Sequence, residues 1–566
     1  MFIKILSFLA VAFLPFSLFS QTPTLTDNSL RIRAITETPF APVKIAHNQQ
    51  DSMLYVLTQS DGIYQIDAES GSSTRVQSAG DLGLEDIQGL DIATDGTFYI
   101  VGNDKNEQNA TNTVQIRRGV ITDGNWEWTT VAEAAPYPLS NTDFDHIMNE
   151  IVVGPNDKFL YINSGSRTDH GEIQDVDGQY PDLRETPLTA KIIRVPADST
   201  DLYLENDLQY LKDNGYIFAE GTRNSFGLAF DGNGKLFSAD NAGERDDPGE
   251  FNWLQEGNHY GFPWRIGGNN TPMQFEGYDP SEDPLLSTDS RSAIFYNDPN
   301  YPAPPEGVSF VEPILNYGPD AVNYKDAETG EVFSASEQDT AISSFTGHRS
   351  SLGLIFDTDS VLTDSYKGDG FVLAFTGGND GSFLLQHMDD AGEDLLHLEL
   401  TKDGDTYTMQ STIIAHSFLN PIDSEIVKDK IYVMEFRNDW LNNSSSPWSN
   451  VRDTQIWEID FSPMATGIEE PVSQTPSQFS LSQNYPNPFN PTTQITYALN
   501  RPGQVTLEVY NTLGKKVSTL VNMQQSSGQH SVTFNAQNLP SGLYFYRLSL
   551  AGDQSSVQTR KMMLLK

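Results

Sequence analysis

Six times between residues 52 and 436 the chain repeats one unit: an apolar strand, a turn of Asp, Asn and Gly, and a second apolar strand that often carries Tyr or Phe. The copies occupy 52–67, 90–101, 151–162, 227–238, 352–375 and 424–436. A strand pair with one apolar face cannot bury that face by itself, so each copy must pack on its neighbours. With glycine-rich turns and few helical periods, the unit predicts an all-β fold, a six-bladed β-propeller over residues 21–464. The same pattern also allows an array of two-sheet sandwiches. The widest gap, 238–352, is rich in Pro, Tyr and Asp, and insertions of that kind build the mouth of a propeller channel.

Charge divides the chain where the repeats stop. Of 566 residues, 77 are Asp or Glu and 34 are Lys or Arg, a net charge of −43. Residues 471–566 hold seven basic and two acidic residues, a local charge of +5, so the remainder carries −48. Residues 465–477 are polar and proline-bearing, without periodicity, and read as a linker. Beyond it, 478–566 alternates apolar and polar residues in short runs bounded by Asn, Pro or Gly, the pattern of a small C-terminal β-sandwich. So acidic a surface repels phosphates, which argues against nucleic acid as a partner.

Residues 1–20 place one lysine before an apolar run that is broken by Pro15 and ends in Ser20, which predicts a cleaved signal peptide. No later segment holds about 18 uninterrupted apolar residues, so stable membrane insertion is not expected. With no cysteine, disulfides, thiol chemistry and cysteine-bound metals are excluded.

The tail resembles the C-terminal sorting domain recognised by the type IX secretion system. The resemblance rests on 484–491 (NYPNPFNP), 509–514 (VYNTLG), 539–546 (LPSGLYFY) and 561–566 (KMMLLK), in that order. It implies export through the inner and then the outer membrane, to the cell surface or the medium, with the secretion machinery as partner.

Three islands between 142 and 263 hold the chemistry. In 142–146 (TDFDH), His146 stands beside Asp145; an imidazole takes up a proton near neutrality, and an adjacent carboxylate can fix its tautomer. In 221–230 (GTRNSFGLAF), Arg223 offers a planar, permanently charged fork suited to carboxylates, and Asn224 both donates and accepts. The loop 243–263 brings Gly243, Glu244, Asp246, Asp247 and Glu250 close together, an oxygen-rich stretch of the kind calcium selects. Softer candidates are Gln88, ahead of the second copy, and Arg349, in 348–353 (HRSSLG) ahead of the fifth. The segment 163–172 (NSGSRTDHGE) clusters Arg167, Asp169, His170 and Glu172 on another connecting loop. For each of these the alternative is structural: an ion pair between blades or a solvated acidic loop.

The islands resemble the glucose and sorbosone dehydrogenase family, soluble sugar dehydrogenases that use pyrroloquinoline quinone (PQQ) and calcium. The resemblance covers most of residues 40–460 and is closest at 145–157, 221–230 and 243–263. It implies His146 as the base that takes a hydroxyl proton while hydride passes to the quinone. It also implies Arg223, Asn224 and Gln88 as quinone contacts, and the main-chain carbonyls of Gly243 and Glu244 as ligands of a calcium ion acting as Lewis acid. Arg349 is a further cation for the cofactor, and Asp246, Asp247 and Glu250 are candidates for a second ion. The implied substrate is an aldose or related polyol.

The chain departs from that family at two places. A lysine after the fifth blade and two arginines before the sixth are replaced by 376–381 (TGGNDG) and 417–423 (SFLNPID), neither of which is basic. Arg167, Arg349 and Arg437 are the residues placed to substitute. Two readings follow: a secreted PQQ-dependent sugar dehydrogenase, or a non-catalytic propeller that binds carbohydrate or another surface partner.

Overall fold

The computed structural model describes residues 22–286, 294–363, 365–377, 385, 387–436, 453–462 and, with short interruptions, 480–564. The expected signal peptide and linker lie outside the described residues, as does Arg437. The chain divides into two compact units at Met464 and Ala465. Strand dominates both, and among the described residues the α-helices are two short pieces, Ala79–Leu82 and Leu208–Asp213.

Six sheets of three or more strands build the first unit, among the described residues. Each begins on a buried strand: Pro42–Asn48, Ile87–Ile92, Met148–Val153, Gly227–Phe230, Ser351–Phe356 and Pro421–Val427. These opening strands touch in a closed cycle, each against the next and the last against the first. The five repeats from 90–101 onward fall on the first and second strands of a sheet, whereas 52–67 falls on the second and third strands of its own. Outer strands follow, and the longest pair, Thr111–Thr122 with Asn125–Pro138, extends the second sheet. Gly62 shows how tightly the turns are drawn: its φ is 117°, and an added Cβ would sit 2.1 Å from the Gln77 carbonyl oxygen.

The sixth sheet is completed from the other end of the sequence. Arg31–Glu37 pairs antiparallel with Gln455–Asp460, and Thr24–Leu25 adds to the fifth sheet beside Thr406–His416. Arg33 secures the pairing with two bonds to Glu458, from Nε at 2.7 Å and Nη2 at 2.8 Å.

Each junction between adjacent sheets has its own apolar cluster. Val43, Tyr55, Leu90 and Phe98 fill the junction of the first and second sheets; Val101, Val131, Ile151 and Ile162 fill that of the second and third. Leu228 and Leu236 meet Ile192 and Phe218 between the third and fourth. Phe237, Phe251, Phe356 and Tyr407 join the fourth to the fifth, Leu373, Leu395, Val433 and Trp457 the fifth to the sixth, and Ile45, Val56, Ile422 and Met434 the sixth to the first.

The second unit has a three-stranded sheet (Ser480–Leu481, Thr492–Leu499, Gly528–Asn535) and a four-stranded one (Lys516–Gln525, Gly503–Asn511, Gly542–Leu550, Val557–Leu564). Both contribute to one apolar cluster, with Ile495, Tyr497 and Phe534 from the first and Leu507, Tyr546 and Leu564 from the second.

The fourth junction offers a direct test of this packing. Phe237 is fully buried, its ring 5.6 Å from Phe251 and 5.2 Å from Phe356. Phe237→Ala should lower the unfolding free energy by about 3–5 kcal/mol, read from urea unfolding of the intact chain. A change under about 1 kcal/mol would mean that this junction is not close-packed.

Candidate active site

A cavity of about 280 Å³ is lined by His146, Arg223, Asn224, Gly243, Glu244 and Arg349, together with Asp143 and His348. Chain topology brings them there. His146 precedes Met148–Val153, Arg223 and Asn224 precede Gly227–Phe230, Arg349 precedes Ser351–Phe356, and Gly243 and Glu244 follow Leu236–Asp240. Gln88 is not in this wall; its Nε2 donates to Asp86 Oδ1 at 2.5 Å.

His146 is positioned by the segment opposite it. Its backbone N–H donates to the Ser166 carbonyl at 3.0 Å, and Ser166 N–H donates to the Arg223 carbonyl at 2.7 Å, so one residue ties two islands together. The ring Nδ1 lies 3.2 Å from Ser166 Oγ and 3.3 Å from its carbonyl, and the Phe144 backbone also bonds the ring. Gly165 must be a glycine here, because an added Cβ would fall 2.4 Å from the His146 Cβ. Burial, followed by the Arg223 charge, pushes the imidazole down to about 3, which keeps the ring neutral.

The expected pairing of Asp145 with this ring is not found. Asp145 instead accepts from the backbone N–H of Ser140 at 2.7 Å and of Asn141 at 2.8 Å. The 140–145 loop folds back on itself, and its own backbone N–H groups take up the carboxylate that adjacency in sequence had placed beside the imidazole.

Arg223 spends most of its donors on the protein. Nε and Nη2 bond the Asp169 carbonyl at 2.9 Å and carboxylate at 2.8 Å, and Nη1 bonds the carbonyls of Asn241 at 3.1 Å and Ala242 at 3.0 Å. Four of its five N–H groups are thereby used, and the charge is matched by a fully buried carboxylate. Asp169 also accepts from Glu244 N–H at 3.0 Å, which fixes the metal-loop candidate against the guanidinium. Asn224 Oδ1 accepts from Asn149 at 2.8 Å and Asn163 at 3.3 Å, so that its own Nδ2 is the group left for a ligand.

Of the three cations expected to replace the missing lysine and arginines, the two among the described residues are sequestered. Arg349, with 1% of its side chain exposed, is clamped between Asp390 and Asp394. Arg167 gives its N–H groups to the backbone carbonyls of Pro138, Leu139, Gln174, Leu183 and Arg184.

The acidic loop does not close around one ion. Asp247 is held by Arg245 Nη1 at 2.6 Å and Asn269 Nδ2 at 2.7 Å. Glu250 accepts from Gly267 N–H at 2.8 Å and Asn252 Nδ2 at 3.0 Å, and burial together with the nearby Asp240 charge pushes its carboxyl above the usual range. Asp246 faces two histidines and a lysine. Burial alone would raise its carboxyl, but hydrogen bonds from His348 and His387 hold it well below the usual range. Gly243 and Glu244 alone, of the five loop candidates, line the cavity.

Three features escaped the sequence reading. Ser166 as the partner of His146 sits in the 163–172 segment already noted, but no residue type flags an orienting serine. Asp169 under Arg223 is in the same segment and is 54 residues away in sequence. His387 had no motif of its own.

Residues 41–312 match the family model described as Glucose / Sorbosone dehydrogenase, and 483–564 match the Secretion system C-terminal sorting domain. The chain thus carries a domain of each kind, and the second directs export by type IX secretion to the cell surface or the medium. No helix among the described residues is long and apolar enough to cross a membrane. No curated protein matches the chain. Similar solved structures include the PQQ-bound form of Aldose Sugar Dehydrogenase from Streptomyces coelicolor, at 15% identity and TM-score 0.43, covering 76% of this chain and 98% of that one. The soluble Aldose sugar dehydrogenase from Escherichia coli, in its apo form, gives 14% and 0.45, with 77% and 100% covered. The holo PQQ domain of Pyranose Dehydrogenase from Coprinopsis cinerea gives 11% and 0.45, with 77% and 97% covered.

Removing one partner of a buried ion pair strands the other charge. Asp169→Asn should therefore cost about 3–5 kcal/mol of stability, measured by chemical denaturation, while the surface variant Arg31→Gln should cost less than about 1 kcal/mol.

Proposed function

We propose that residues 21–464 form a six-bladed β-propeller dehydrogenase that oxidises a hydroxyl of an aldose or related polyol, using PQQ and calcium, and that the C-terminal unit is a β-sandwich sorting tail. The observation that carries this reading is His146. A neutral imidazole, anchored through Nδ1 in the wall of a cavity, is what removal of a hydroxyl proton requires.

PQQ, when bound, supplies the two-electron acceptor for hydride leaving the carbinol carbon. The chain's own part is proton chemistry and placement. His146 Nε2 takes the hydroxyl proton as the carbonyl forms; Ser166 holds the ring; Asn224 Nδ2 and the remaining Arg223 N–H donate to ligand oxygens. The carbonyls of Gly243 and Glu244 would hold the calcium, a hard cation that prefers oxygen.

The walls suit a tricarboxylate on one condition. Arg223 and Arg349 already face Asp169, Asp390 and Asp394, so neither brings net positive charge. Calcium must therefore supply the charge that balances the cofactor. That same sequestration favours a second reading, in which the unit binds carbohydrate without oxidising it.

Purified full-length protein, stripped of metal and titrated with PQQ, separates the two. PQQ should bind only after calcium is added, and dye reduction with a panel of aldoses and polyols should follow. His146→Ala should lower turnover by about 10²–10⁴-fold with PQQ still bound. Because the ring titrates near 3 rather than 6.5, the acid limb of kcat/KM should lie well below pH 6.5. Absence of PQQ binding in the presence of calcium would leave the carbohydrate-binding reading.

A further inference from the structure

Outside the residues assigned to the base and the quinone, one side-chain cluster stands out. Asp246 Oδ1 lies 2.7 Å from His348 Nε2 and 3.0 Å from His387 Nε2. The three ligand atoms all fall within 4.8 Å of one another, and this is the one such group among the described residues. They come from three separate connections. Asp246 belongs to the loop between Leu236–Asp240 and Glu250–Leu254, His348 precedes Ser351–Phe356, and His387 lies between Gly370–Ala374 and Asp394–Asp403.

We propose that Asp246, His348 and His387 form a binding site for a divalent transition-metal ion of the zinc class, separate from any calcium at Gly243 and Glu244. Two imidazoles and one carboxylate are borderline donors, which suit zinc, cobalt or nickel. Calcium takes roughly six to eight oxygens, and this cluster offers only carboxylate oxygen beside two nitrogens.

The geometry is close to what an ion needs. Metal bonds of about 2.1 Å in a tetrahedron set ligand atoms about 3.4 Å apart. The two observed separations are shorter than this by about 0.7 and 0.4 Å, which small side-chain rotations would take up on metal binding; His387 has 34% of its side chain exposed. Asp246, at 1% exposure, and His348, at 6%, form the rigid floor. Lys325 Nζ bonds the other Asp246 oxygen at 2.7 Å, so the carboxylate is oriented by an outer partner that leaves Oδ1 toward the histidines.

Such an ion would act as a clamp. His348 lines the cavity that holds His146 and Arg223, and Arg349 follows it in sequence. Tying His348 to the 243–250 loop and to the turn at 387 fixes one wall of that cavity from outside. Metal binding here does not depend on PQQ, so it stands or falls separately from the dehydrogenase reading.

Chelator-treated full-length protein titrated with Co²⁺, without PQQ, tests the proposal. One equivalent should bind with the intense visible bands of four-coordinate cobalt. Zn²⁺ should displace it, and the same excess of Ca²⁺ should not. His387→Ala, at an exposed position where folding is not at stake, should weaken Co²⁺ binding by at least about 100-fold. Asp246→Asn should do the same if it folds, and His387→Ala decides alone if it does not. Lack of visible bands, displacement by Ca²⁺ as effective as by Zn²⁺, or unchanged binding in His387→Ala would each overturn the assignment.

Discussion

Closure of the ring is the constraint from which the rest follows. Each of the six sheets has two faces to bury and finds cover for them only on its two neighbours, so an open row would leave two apolar faces in water. Closure is achieved by Arg31–Glu37 lying along Gln455–Asp460, a pairing across more than 400 residues. That strand is largely exposed, and it contributes little apolar surface of its own. What it supplies is hydrogen bonding to an otherwise open sheet edge, with the Arg33–Glu458 contact at its centre. Once the ring is closed, the loops that precede the opening strands are forced toward one end, and the cavity is assembled there.

Charge is the second constraint. With 77 acidic and 34 basic residues, a buried cation in this chain meets carboxylates wherever it goes. Lys44 shows the pattern at the centre of the ring. It projects from the first strand of the first sheet and contacts Glu150 of the third and Asp423 of the sixth. Arg223 and Arg349 repeat it at the mouth. Positive charge is thus used to hold sheets and loops together, and the site keeps little of it for a ligand. An anionic cofactor in such a place depends on a metal ion, since a divalent cation held by main-chain carbonyls adds charge without requiring a basic side chain.

The repeats were legible because apolar alternation is set by burial, and burial is what the ring imposes on every opening strand. The glycine turns were legible for the same reason that Gly62 cannot be anything else. The partner of the last sheet was not, since RIRAITE has the composition of any half-exposed strand and carries no label for a partner more than 400 residues away. In the site, residue types were readable and their pairings were not. Arg223 presents a ligand-binding fork in the sequence, but Asp169 takes up much of it in the fold, and Asp246, a candidate for a second ion with Asp247 and Glu250, is carried by its loop to two histidines. Neither contact leaves a trace in local sequence, because each depends on how separate loops meet above the sheets.

Asp145 shows how a residue misread in role still matters to the site. Its carboxylate binds the N–H groups of Ser140 and Asn141 and so ties the 140–145 loop into one turn. Asn141 and Ile147, which bracket that turn and His146, both have positive φ, at 55° and 48°. An isoleucine in the left-handed region is unfavourable by itself, so the surroundings must enforce it. The Asp145 bonds on one side and the Ser166 bonds on the other do so, fixing the backbone on both flanks of the imidazole before any ligand arrives. A base held this way needs no carboxylate on its ring to be correctly aimed: the loop and the Ser166 contact at Nδ1 do the aiming.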